Sequence, residues 1–169
     1  MDILLVDGYN MIGAWPHLRE LKNSDLELAR TKLIEQLAEY QAFTGYKVIV
    51  VFDAQFVRGK ETKYKDYKVD VIFTKENETA DECIEKLAKN LGNRRTQIHV
   101  ATSDFTEQWA IFGQGALRKS ARELYTEIKV IENKIEKKVR KIQENKPISK
   151  IPLSKELAEI FENWRRGKQ

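Results

Sequence analysis

Three short apolar runs that each end in an aspartate constrain this chain more than any other feature. ILLVD (3–7), VIVVFD (48–53) and IHVATSD (98–104) are strand-length and rich in β-branched residues, so each predicts a buried strand. VDVIFT (69–74) predicts a further short strand. Between them the periodicity changes. Leu26, Leu33, Ile34 and Leu37 recur at helical spacing until Gly45, and Cys83, Ile84, Leu87, Ala88 and Leu91 do so until Gly92. Strand, helix, strand in alternation implies right-handed parallel crossovers and an α/β fold, a three-layer α/β/α sandwich around a mainly parallel sheet with additional C-terminal helices. Strands of a parallel sheet all point one way, so Asp7, Asp53 and Asp104 are expected along a single edge, where open α/β sheets place their chemistry.

Both early helices carry start signals. Ser24-Asp25-Leu26-Glu27 has the form of a capping box and opens a helix over 25–43; Thr79 and Glu82 form a second, which puts Asp81 in a first helical turn. An acid in that position is ordinarily a complement to the helix dipole, but one that hangs over the strand ends closes the acidic group. Gly8 permits a tight turn beside Asp7, and Asn10 offers an amide donor and acceptor to whatever the acid holds. Residues 11–23, with Gly13, Trp15, Pro16 and His17, are too irregular for a helix and are expected to wall the cleft.

Further along, His99 lies between Ile98 and Val100 and reads as a strand or core histidine. Trp109, Ile111 and Phe112 read as core. From 117 to about 145, Leu124, Ile128, Ile131, Ile135, Val139 and Ile142 predict one long charged helix, with Lys134, Lys137, Lys138, Arg140 and Lys141 on its other face. Pro147 and Pro152 mark 146–152 as an extended linker, and 153–166 reads as a last helix carrying Trp164. The expected organisation is one domain over 1–145 that includes the basic helix, with 146–169 packed on the same domain.

Composition narrows the function classes. No apolar run approaches the roughly 20 residues that span a bilayer, and the amino terminus shows no signal-peptide pattern, so a cytoplasmic protein without a membrane partner is expected. Cys83 as the lone cysteine excludes an internal disulfide, and two histidines with so little sulfur make no zinc site. The net charge of +4 is uneven: residues 1–116 carry 15 Lys and Arg against 18 Asp and Glu, whereas 117–169 carry 15 against 8. That asymmetry suggests a polyanionic partner, with a solvated Lys- and Glu-rich helix as the plainer alternative. Within 54–68, Arg58, Lys60, Lys63, Tyr64, Lys65, Tyr67 and Lys68 interleave basic and aromatic residues, as an RNA-contact loop would: lysines meet phosphates and tyrosines stack on bases at roughly 1–3 kcal/mol each. A merely solvated loop is the competing reading.

Several carboxylates gathered at one edge repel one another and need a counter-ion. Hard oxygen ligands with open positions suit Mg²⁺ or Mn²⁺, which can activate water and stabilise a phosphodiester leaving group. LLVDGYN (4–10), VVFDA (50–54), ETADE (78–82) and VATSD (100–104) together resemble the motifs of the bacterial YacP-like family in the NYN branch of PIN-like nucleases. The resemblance implies a PIN-like fold and metal-dependent endoribonuclease activity on mRNA in the A site of translating ribosomes. Carried over by position, it implies an acidic site of Asp7, Asp53, Asp81 and Asp104, with Asn10 and Ser103 as supporting polar groups. Asp7, Asp81 and Asp104 are the expected metal ligands, and Asp53 either shares the chemistry or braces the cleft. Two other classes stay open: a non-catalytic RNA- or ribosome-binding module of the same fold, and a small-molecule phosphohydrolase. The DGY ending of the first strand, without a second aspartate two residues on, speaks against the latter.

Overall fold

A computed structural model describes residues 1–54, 68–103 and 115–165, with 145–165 described by backbone alone. The chain divides into two compact units, Met1–Lys129 and Val130–Gln169. The first contains a five-stranded sheet of β1 (Asp2–Asp7), β2 (Lys47–Phe52), β3 (Asp70–Phe73), β4 (Gln97–Ala101) and β5 (Leu117–Lys119). Its order is β3-β2-β1-β4-β5 and every pairing is parallel. The central strand, β1, is covered on both faces, which is why Leu4, Leu5 and Val6 run consecutively apolar and fully buried.

Strand alternation sorts the two faces. Ile3 and Leu5 of β1, Ile49 and Val51 of β2, and Ile98 and Val100 of β4 share one core cluster with Ala80, Cys83, Ile84 and Ala88 of a helix over Ala80–Leu91. The opposite face is layered by α1 (Gly8–Ala14), α2 (Pro16–Ser24) and α3 (Leu26–Thr44), so the Ala80–Leu91 helix is α4. The first turns of α5 (Ala121–Arg165) are tied to this second layer: Trp15 Nε1 donates to the Ala121 carbonyl at 2.9 Å, and Tyr40 Oη donates to Glu127 at 2.9 Å.

The structure departs from the sequence expectations in four places. Residues 11–23 are not an irregular connection but parts of α1 and α2. Asp7 caps α1 by accepting from the Asn10 N–H (3.4 Å), and Pro16 sits in the first turn of α2, where its missing N–H costs nothing. Two such short helices give periodicity too little length to register. Secondly, Asp25 rather than Ser24 caps α3, accepting from the Leu28 N–H at 3.1 Å, while Ser24 Oγ donates back to Leu21 O. Thirdly, the helix expected from 117 begins at Ala121. Leu117–Lys119 is instead an edge strand paired with His99–Ala101, and Ser120 Oγ accepts from the Glu123 N–H (3.1 Å) to start α5. Finally, α5 runs through 146–152 where an extended linker is expected. Each interior proline forfeits one hydrogen bond, at a cost of about 3 kcal/mol.

Candidate active site

The carboxyl ends of the strands form the site. Asp7 ends β1 and is 8% exposed, and its carboxylate accepts from the Asn10 N–H at the head of α1. Asp7 is in register with Val51, and Asp53 follows the last residue of β2, Phe52, at the same edge. Between two parallel strands α4 must run antiparallel to both, so its head lies at their carboxyl edge. Ala80 anchors that head in the cluster containing Leu5 and Val51, and Asp81 follows it in the first turn, capped by Thr79 Oγ1 accepting from the Glu82 N–H at 3.2 Å. Asp7 thus ends β1, Asp53 follows the end of β2, and Asp81 lies in the first turn of α4, all at the carboxyl edge of the sheet.

Asn10 joins the ends of β1 and β4. Its N–H reaches Asp7 Oδ1 at 3.4 Å, and its Oδ1 accepts from both the N–H and the Oγ of Ser103, at 2.9 and 2.8 Å. Beside it, Arg30 Nη1 donates to Tyr9 Oη at 3.1 Å, although Arg30 is only 6% exposed, and the Tyr9 ring lies 5.1 Å from that of Phe52. Gly8 makes this approach possible, since a Cβ there would stand 2.3 Å from Phe52 Cε1.

A cleft of about 520 Å³ opens beside Asp53, walled by Ala54 and by Lys75, Glu76, Asn77, Glu78 and Thr79 between β3 and α4. Thr74 Oγ1 fixes its near wall by accepting from the Ala54 N–H at 3.0 Å. Glu78 accepts from the Lys75 N–H (3.4 Å) and from Lys86 Nζ (2.8 Å), and the Lys86 ammonium holds its carboxyl below the usual carboxylate range. A larger cavity, about 680 Å³, lies at the opposite edge of the sheet among Lys89, Arg94, Thr96 and Gln97. It has no acidic residue in its lining, so size does not decide the location of the chemistry.

Asp104, Arg58, Lys60, Lys63, Tyr64, Lys65 and Tyr67 lie outside the described residues, as do Trp109, Ile111 and Phe112. Lys68 is exposed, with its carbonyl accepting from Gln41 Nε2 at 3.2 Å. His99 is half-buried, pairs with Asp2 at 3.0 Å and lies 5.2 Å from the Tyr46 ring, a structural role. Among the described residues no three His, Cys, Asp or Glu side chains come together to hold a metal. The donors present at the edge, Asp7 and Asp81, are oxygen ligands that fit a hard divalent cation in kind. Sequence reading passed over Arg30, Lys75 and Asn77. Arg30 is indistinguishable in sequence from a surface charge of α3, whereas Lys75-Glu76-Asn77-Glu78, a polar run with a left-handed-tolerant Asn, carried a turn signal.

Among the described residues no helix is long and apolar enough to cross a membrane. A family model described as the YacP-like NYN domain matches residues 4–166. A Bacillus subtilis (strain 168) protein described as uncharacterized protein YacP is 66% identical over 167 residues, covering 99% of this chain and 98% of the relative. The crystal structure of Rae1 (YacP) from Bacillus subtilis is similar with a TM-score of 0.80 at 66% identity, covering 99% of this chain and 96% of that one. Its W164L mutant gives 0.75 at 62% identity over the same shares.

Proposed function

Because the chain belongs to the YacP-like NYN domain family, whose domains are nuclease-like and generally use divalent metals, we propose that it is a cytoplasmic endoribonuclease using Mg²⁺ or Mn²⁺. Its substrate is mRNA in the A site of translating ribosomes. The observation that supports the reading is that β1 ends in Asp7 and α4 opens with Asp81 in its first turn, both at the carboxyl edge of the parallel sheet.

Asp7, Asp81 and Asp104 hold the ion, which when bound supplies Lewis acidity and a lowered pKa for water. Each of the chain's own groups has a separate task. The Asn10 N–H orients Asp7, and Asn10 Oδ1 fixes Ser103, the residue before Asp104 in the chain. Asp53 braces the cleft wall. Arg58, Lys60, Lys63, Lys65 and Lys68 meet the RNA backbone, Tyr64 and Tyr67 stack on its bases, and the C-terminal basic excess adds long-range attraction.

The test is cleavage of RNA, naked and on translating ribosomes, with Mn²⁺. Asp7→Asn and Asp81→Asn should abolish cutting while preserving Tm and RNA binding. An Asp7→Asn protein that cuts at the wild-type rate sinks the reading, and a wild type that binds ribosomes without cutting points to a binding module instead.

A further inference from the structure

Asn77 is the only non-glycine residue with a positive φ among those described, at 68°. Asn is one of the few residues with a Cβ that tolerate this region, and here it occupies a turn that presents its side chain at the surface. Hydrogen bonds fix the turn. The Glu78 N–H donates to the Lys75 carbonyl at 3.0 Å, and the Glu78 carboxylate is held by the Lys75 N–H at 3.4 Å and by Lys86 Nζ, from the next helix, at 2.8 Å. Asn77 is exposed, and it shares the 520 Å³ cleft with Lys75 and Asp53, beside the acidic edge. The cleft falls within the 300–1,000 Å³ typical of small-ligand sites.

On the basis of the nuclease reading above, we propose that this cleft seats one unpaired RNA nucleotide next to the scissile phosphate, with Asn77 reading the base edge and Lys75 meeting a flanking phosphate. A carboxamide presents one donor and one acceptor side by side. It therefore pairs in two-point fashion with a base edge that alternates acceptor and donor, as the N6 and N7 positions of adenine do. In duplex RNA that edge faces the deep, narrow major groove, which a side chain cannot read, so the contact selects single-stranded RNA. Lys75 is exposed and lines the same cleft, so its charge falls where the backbone of that nucleotide enters. The bonds from Glu78 to Lys75 and Lys86 hold the turn backbone that carries Asn77.

The experiment uses the full chain with Mn²⁺ and single-stranded RNAs that differ only in the base at each position flanking the cut, presented naked or on ribosomes according to which form is cut. Wild type should prefer one base at one flanking position by about tenfold in kcat/KM, the size of a two-point base contact. Asn77→Gly keeps the left-handed backbone and removes only the amide; it should flatten that preference to less than about twofold while preferences elsewhere persist. Lys75→Ala should raise KM without changing base preference and lower the slope of log affinity against log salt by about one. A preference that survives Asn77→Gly, or a wild type indifferent to the flanking base, overturns the inference and leaves the nuclease reading standing. A wild type that cuts no RNA in either form overturns both.

Discussion

Asn10 Oδ1 accepts two hydrogen bonds from the single residue Ser103, at 2.9 Å from its N–H and 2.8 Å from its Oγ. The acceptor is on α1 and the donors follow β4, so the contact spans the strand ends on either side of the central acid. Asn10 also donates its own N–H to Asp7. One residue therefore ties together two of the proposed catalytic strand ends, its side chain holding Ser103 after β4 and its backbone N–H holding Asp7 at the end of β1.

Asn10→Ala removes both side-chain bonds to Ser103, each worth about 1 kcal/mol, and should lower kcat roughly 10- to 100-fold with KM little changed. Ser103→Ala removes only the hydroxyl donor and leaves the N–H in place, so its loss in kcat should be less than about tenfold. Steady-state kinetics on one RNA substrate separates the two. A Ser103→Ala protein at the wild-type rate beside a crippled Asn10→Ala would leave the backbone bond or another role of Asn10 to carry the effect.

Gly8 and Phe52 make a steric prediction. Alanine at position 8 would bring its Cβ to 2.3 and 2.5 Å from two atoms of a fully buried ring, and a phenyl group has no flexible end to move aside. Gly8→Ala should cost about 1–3 kcal/mol, or roughly 3–10 °C in Tm for a chain of this length. Phe52→Leu in the same chain should recover part of the loss, a non-additivity that thermal melts of the four proteins of the cycle would reveal.

Tyr40 governs the alkaline limb of stability. Its phenol is 2% exposed and donates to Glu127, itself paired with Lys119 Nζ at 2.6 Å; burial first, and Glu127 second, push its pKa well above the usual value near 10. Folding therefore favours the protonated phenol. This contribution is complete below about pH 10 and is lost as pH rises from there towards the raised folded-state value. Tyr40→Phe should be less stable than wild type at neutral pH, and its Tm should fall less steeply between pH 10 and 12.

Cys83 should be inert while the chain is folded. It is 7% exposed in the cluster between α4 and the sheet, and burial pushes its thiol pKa up, so the nucleophilic thiolate is disfavoured. A chromogenic disulfide reagent at pH 8 should react with it only at the rate of unfolding. Rapid stoichiometric reaction in native buffer would contradict this placement.

Local pattern alone determined the strands at 3–7 and 47–52, the helix opened by Thr79, the body of the helix over 26–44, and the parallel order that puts the ends of β1 and β2 at one edge. In those stretches residue type, length and periodicity agree. The edge strand Leu117–Lys119 was decided by pairing with β4, a contact between segments with no shared sequence signal; its residues fit the onset of the helical pattern that follows. Likewise α1 and α2 owe their helicity to a cap supplied by Asp7 and to the burial of Met11, Ile12 and Leu18 rather than to propensity over two turns. The same division holds in the site. Asp7 and Asp81 are legible as acids at a strand end and a helix head, but the bond from Asn10 to Ser103, 93 residues apart, and the cleft at Asn77 exist only when the chain is folded, because hydrogen-bond partners are chosen by distance in space and sequence records only order along the chain.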